Sequence, residues 1–110
     1  MDTSKAVNKT AVKIAEINDA FRRSMTGCTV TRGVLELTSL SNEIFMKVRD
    51  FDTFTIDNDP FDEHDFGSFE VCGHKLFWKI DYYDEALAGW CDPLSPECHR
   101  ILTIMLADEY

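Results

Sequence analysis

The stretch Ser68-Phe69-Glu70-Val71-Cys72-Gly73-His74-Lys75-Leu76-Phe77-Trp78-Lys79-Ile80-Asp81-Tyr82-Tyr83 holds the clearest structural signal in the chain. Phe69 and Val71 alternate with Ser68, Glu70 and Cys72. After Gly73-His74, Leu76, Trp78, Ile80 and Tyr82 alternate with Phe77, Lys79, Asp81 and Tyr83. Period-two alternation on both sides of a Gly-containing dipeptide predicts a β-hairpin with one apolar face, because successive strand side chains point to opposite sides. Glycine accepts positive φ at no steric cost, which suits Gly73-His74 to the turn. The other face, with Phe77, Lys79, Asp81 and Tyr83, is expected to be open.

Helices are expected on either side of this hairpin. Val7, Ala11, Ile14, Ile17, Phe21 and Met25 recur at three and four residues and predict an amphipathic helix, capped by Thr3 or Ser4 and ended by Gly27. Lys5, Lys9 and Lys13 form a basic edge along it. Cys28 to Arg32 is β-branched and reads as a short strand stopped by Gly33. Ser41 to Phe51 reads as a second helix, with Ile44, Val48 and Phe51 in a stripe and Ser41 as its cap. Thr53 to Gly67 reads as irregular, since Pro60 excludes a regular helix or central strand. Ser95-Pro96-Glu97 has the form of a helix start, and Cys98, Ile101, Leu102, Met105 and Leu106 fit a buried stripe, which predicts a last helix. The expected fold is a single α+β domain over residues 1–110, with residues 1–5 frayed. In it a small antiparallel sheet of about three strands packs against about three helices.

Composition limits the functions open to such a domain. The chain has 110 residues, 45% hydrophobic and 28% charged, values of an ordinary globular domain. At this length roughly two-thirds of the unfolded surface can be buried, enough for one modest core. The net charge of −9 argues against direct nucleic-acid binding, which needs cations to displace phosphate counterions, and against docking on an anionic membrane. No apolar run reaches the ~20 residues of a membrane span, and no apolar signal core follows Met1, so a cytoplasmic protein is expected. In that compartment the four cysteines, Cys28, Cys72, Cys91 and Cys98, are expected as free thiols.

The charge is polarised along the chain. Residues 1–50 carry eight basic and six acidic side chains, whereas residues 51–110 carry three basic and fourteen acidic ones. The densest stretch holds Asp52, Asp57, Asp59, Asp62, Glu63 and Asp65 without a lysine or arginine. Crowding of this kind costs self-repulsion in a compact chain, so folding does not require it.

No pattern of catalytic or metal-ligating residues emerges. A calcium loop beginning at Asp57 fails, because Phe61 and Asp62 stand where an oxygen ligand and a glycine are needed. His64-Asp65 is similar to the His-Asp pair of metal-dependent phosphohydrolases, but that chemistry needs further histidines and aspartates. Cys72-Gly73-His74 and Cys91…Cys98-His99 lack the paired spacing of a structural zinc site. A Cys98–His99 nucleophile pair is disfavoured, because neighbours on the expected helix diverge by about 100°. No glycine-rich phosphate loop is present. A non-enzymatic protein with no cofactor and no metal is therefore expected.

Phe54-Thr55-Ile56-Asp57-Asn58-Asp59-Pro60, Glu63-His64-Asp65-Phe66-Gly67 and Trp78-Lys79-Ile80-Asp81-Tyr82-Tyr83-Asp84 carry a resemblance, together with Asn18-Asp19-Ala20-Phe21-Arg22, Thr31-Arg32-Gly33 and Leu102-Thr103-Ile104-Met105-Leu106-Ala107. Over roughly Ile14 to Tyr110 the chain resembles a family of small uncharacterised bacterial proteins, a domain of unknown function often found on plasmids and other mobile elements. It departs from the family pattern in its four cysteines. The resemblance carries no catalytic residues. It implies a setting in which small acidic proteins of mobile DNA inhibit host defence.

The expected function is that of an acidic inhibitor of the anti-CRISPR or anti-restriction type. Its carboxylates would stand in for phosphates in the basic nucleic-acid channel of a CRISPR effector or a restriction enzyme. The expected contact residues are Asp57, Asp59, Asp62, Glu63, Asp65, Asp81, Asp84 and Glu85, with the chain's many aromatics as anchors. The competing expectation is a metal-dependent hydrolase or nuclease using His64 with Asp57, Asp59 and Asp65. A dimeric accessory protein is a third.

Overall fold

A computed structural model describes residues 9–110. The elements run α1 (Lys9–Ser24), β1 (Cys28–Val30), α2 (Arg32–Leu35), a short 3-10 turn (Thr38–Leu40), α3 (Ser41–Arg49), β2 (Phe66–Val71), β3 (His74–Tyr83), β4 (His99–Leu106) and a closing 3-10 turn (Ala107–Glu109). The expected caps Thr3 and Ser4, the frayed residues 1–5, Lys5 and Val7 lie outside the described residues.

The hairpin forms in the expected register. β2 and β3 are antiparallel, with Phe69 opposite Leu76 and Gly67 opposite Trp78. Leu76, Trp78, Ile80 and Tyr82 are all buried on one face. The turn falls one residue earlier than expected: Cys72 and Gly73 are the central pair, with φ of 49° and 83°. Two successive positive φ values match the right-handed twist of the flanking strands. Gly67 is fixed by packing, because a Cβ there would collide with the indole nitrogen of Trp78 and the ring of Phe51.

The sheet has four strands in the order β1-β4-β3-β2 and is mixed, since β1 runs parallel to β4. The expected α+β class holds; the sheet has four strands where about three were expected and is mixed rather than wholly antiparallel, and the last element accounts for the fourth strand. The segment expected as a helix is β4, antiparallel to β3 over eight residue pairs. Ile101-Leu102-Thr103-Ile104-Met105-Leu106 is an apolar run broken only by Thr103, which fits a helical stripe and a buried central strand equally well. Its β-branched residues and two flanking strands settle it as a strand. Ser95 uses its capping chemistry in a turn instead: its Oγ accepts the Glu97 N–H at 3.1 Å and its carbonyl accepts the Cys98 N–H at 3.1 Å.

Three further boundaries differ from expectation. α1 ends at Ser24, and Met25 just after it takes the left-handed conformation with φ 56°. Gly27 is instead needed for close approach, as a Cβ would strike the ring of Phe21. β1 stops at Val30, and Arg32 and Gly33 enter α2. Ser41 is the first residue of α3 rather than its cap, and Phe51 lies past the helix end.

All three helices lie on one face of the sheet. Ile14, Val34, Ile44 and Val48 meet Val71, Leu76, Trp78, Ile80, Leu102 and Ile104 in one core. Among the described residues, no α-helix covers the opposite face. Glu109 ties down its C-terminal border: its carboxylate accepts from the Thr31 hydroxyl, the Gly33 N–H at 3.0 Å and the Leu106 N–H at 2.8 Å. Tyr110 then packs on Phe66 and Phe77, with ring centroids 5.8 and 5.5 Å away.

Candidate partner-binding surface

The acidic segment 52–65 is held from beneath by a polar cage that begins on α1. Asn18 and Arg22, one turn apart, continue the buried stripe of Ala11, Ile14 and Ala15, and both are fully buried. The Arg22 guanidinium lies between two aromatic rings, 5.6 Å from the Phe54 centroid and 5.2 Å from that of Trp78. It donates to Asp19 Oδ1 at 2.9 Å and to the Phe51 carbonyl at 2.9 Å. Hydrogen bonds and cation–π contacts of this kind make burial of the charge tolerable.

Asp19 also reaches His64. Its two oxygens lie 3.0 and 3.1 Å from His64 Nδ1, and the imidazole stacks flat on Phe54 at 3.8 Å. His64 Nε2 stands 3.7 Å from Asp59 Oδ2. Asp59 Oδ1 accepts the backbone N–H groups of Glu63 and His64, each at 3.1 Å. These bonds stabilise the left-handed backbone at Asp62 and His64, with φ of 58° and 57°. Beside this, Asn18 donates to the Tyr82 hydroxyl at 2.8 Å and to the Glu63 carbonyl at 2.9 Å, and accepts from Arg100 Nε at 2.6 Å.

The eight expected contact residues therefore divide. Asp57, Asp62 and Glu85 are exposed, and Glu63, Asp65, Asp81 and Asp84 are half-buried. Asp59 is a correction: its side chain is 2% exposed and turned inward, where it caps the loop amides. A carboxylate so placed cannot meet a partner. Asp81 is paired with Lys79 at 2.8 Å, and Asp84 accepts the Ala88 N–H at 2.9 Å inside its own turn. Asp57, Asp65 and Asp81 line one hollow, and Asp65 and Asp81 continue into a second beside Trp90. Sequence reasoning missed Asn18, Asp19, Arg22 and Arg100 as supports. The available signal was their i, i+4 placement after Ile14, which puts Asn18 and Arg22 on the core face.

Burial sets the protonation behaviour of the acids. It pushes the Asp59 carboxyl above its usual range. Asp65 is pushed up to about 6, first by burial and then by the charges of Glu63 and Asp59. Because the folded state holds this proton more tightly than the unfolded chain, stability is expected to fall as pH rises from about 4 to about 6 through this group. Asp65→Asn is accordingly expected to be more stable than wild type at pH 7.5 and no more stable at pH 4. Urea midpoints at the two pH values check this.

Among the described residues, no group of three or more His, Cys, Asp or Glu side chains is arranged to hold a metal ion. His64 meets Asp19 and Asp59, while the Asp57 and Asp65 of the hydrolase expectation line the neighbouring hollow. All four cysteines are free thiols, and burial raises the pKa of Cys28 and Cys98, which makes them poor nucleophiles. Among the described residues, no helix is long and apolar enough to cross a membrane.

Fold and surface together define a small α+β domain that displays an acidic, aromatic loop from a caged base. The chain belongs to the family described as Protein of unknown function (DUF3768), which matches residues 30–109. No curated protein and no solved structure matches it. The motif residues Phe54, His64, Gly67 and Trp78 converge on the Arg22 cage.

Proposed function

We propose that the protein is a non-enzymatic inhibitor, acting in the cytoplasm, that binds a basic nucleic-acid-handling complex. The partners that fit are defence machinery, a CRISPR effector or a restriction enzyme, in a bacterium carrying the gene on a mobile element. The observation that carries this reading is the outer surface of the 52–65 loop. It exposes Ile56 (82%) and Phe61 (77%) beside Asp57 and Asp62, while Asp59 and His64 pin it from inside. Exposed apolar anchors cost solvation in a free monomer, and a preorganised loop loses little entropy on binding. Carboxylates around apolar anchors suit a lysine- and arginine-lined channel, where fields of opposite sign speed encounter.

The test is competition. The protein is expected to block DNA binding by its target without binding DNA itself. The double variant Asp57→Lys, Asp62→Lys is expected to lose the block while remaining folded, since both side chains are exposed and only the left-handed backbone at Asp62 adds a cost, of about 1 kcal/mol. Equal inhibition by variant and wild type would show that this loop is not the contact.

A further inference from the structure

Two hollows lie side by side along the C-terminal half of β3 and together make up a groove. Asp65, Ile80 and Asp81 line both. Aromatic side chains wall the two ends: Phe61 and Tyr110 at one, Trp90 at the other. Tyr110 is 76% exposed and Trp90 72% exposed. Phe66, Phe77 and Tyr110 form a triangle of rings with centroids 5.1 to 5.8 Å apart. Exposed rings at both ends of a groove are an unpartnered apolar surface independent of its charge.

Charge within the groove selects the occupant. Lys79 pairs with Asp81 at 2.8 Å, so those two charges offset each other. Asp65 has no side-chain cation paired with it among the described residues, although Glu63, Asp59 and Asp81 all act on it as like charges. Asp57 adds another carboxylate at the open rim. The lining thus combines π faces with an uncompensated, half-buried carboxylate. A planar guanidinium satisfies both at once: it bonds a carboxylate in its plane and stacks on aromatic faces. A divalent metal is not favoured, since the surrounding acids do not converge as ligands.

We infer that this groove is an arginine-receiving site, in which Asp65 binds the guanidinium of a partner's arginine between the Phe61–Tyr110 and Trp90 walls. The inference rests on the inhibitor reading and names the side chain that reading requires. The raised proton affinity of Asp65 fits the same role, because an arriving cation relieves the repulsion that raises it.

The experiment titrates the full-length protein with a hexa-arginine peptide and with hexa-citrulline, its neutral isostere. The readout is the indole N–H resonance of Trp90, well separated in environment from the buried Trp78. Hexa-arginine is expected to shift the Trp90 signal saturably at low salt, and hexa-citrulline to leave it unmoved. Asp65→Asn is expected to weaken hexa-arginine at least tenfold while raising thermal stability at pH 7.5, a combination that misfolding cannot produce. Wild-type affinity in Asp65→Asn, with loss in the Asp57→Lys, Asp62→Lys variant, would overturn the groove and leave the acidic loop as the contact. Equal shifts by both peptides, or no Trp90 shift with hexa-arginine, would also overturn the groove. A Trp90 shift on concentration alone, accompanied by a dimer mass in sedimentation, would assign the groove to a second copy of the chain and overturn the arginine site. The competition assay with the intact target judges the inhibitor reading separately.

Discussion

Trp78→Ala is expected to lower the unfolding free energy by about 3–5 kcal/mol, through lost burial and the cavity left behind. The indole is fully buried at the centre of the sheet, edge-on to Phe51 at 5.5 Å and Phe54 at 6.1 Å. Its indole nitrogen has no hydrogen-bond partner, so the residue contributes through ring packing and the cation–π contact with Arg22 at 5.2 Å. Lys79→Ala, one residue on, is expected to change stability by less than about 0.5 kcal/mol, because its side chain turns to the opposite face and its Asp81 pair is solvent-screened. Denaturant midpoints for the two variants check the register directly. Equal losses would mean that β3 is paired one residue out of step.

Arg22→Ala is expected to be comparably severe, at about 3–5 kcal/mol. The guanidinium is wholly buried, and its removal opens a void between Phe54 and Trp78. It also removes the donor to the Phe51 carbonyl and to Asp19. Arg22→Met keeps the apolar stem and is expected to lose markedly less. Arg22→Lys is not a conservative change, because a point charge cannot fill the slot between two rings. Loss of the cage should also release His64 from Phe54, visible as a change in the His64 ring resonances. Arg22→Ala with the stability of wild type would show that the cage does not hold the loop.

Part of this architecture is readable in the chain and part is not, for physical reasons. The hairpin is readable because alternation at Phe69, Val71, Leu76, Trp78, Ile80 and Tyr82 leaves one register that turns them all to the core face, with Phe69 partly buried and the others buried. β4 is not, because an apolar run with neighbours on both sides loses the alternation that marks a strand. α1 is readable as an amphipathic helix. The placement of Asn18 and Arg22 on its core face is legible from their spacing after Ile14, but their partners are not, because Tyr82 and Phe51 lie far along the chain. The concentration of acids after residue 51 is plain in the sequence. Which carboxylate turns inward is not, since Asp59 differs from Asp57 and Asp62 only in the loop amides it meets. The arginine-receiving groove depends on Tyr110 and Trp90 being brought beside Asp65 and Asp81, a convergence of distant segments that no local pattern encodes.

The central claim is that an outward acidic and aromatic surface occupies a basic nucleic-acid channel. Its most direct test is a titration of the protein into the purified target bound to labelled DNA, at low and at physiological salt. The account predicts displacement that completes near one protein per DNA-binding site and weakens steeply with salt, because exposed charges beyond about 8 Å are screened at physiological ionic strength. It also predicts that no complex of the protein with DNA alone forms. Displacement complete at amounts far below the target's would mean catalytic turnover and would contradict the claim, as would displacement indifferent to salt and to the Asp57→Lys, Asp62→Lys substitutions.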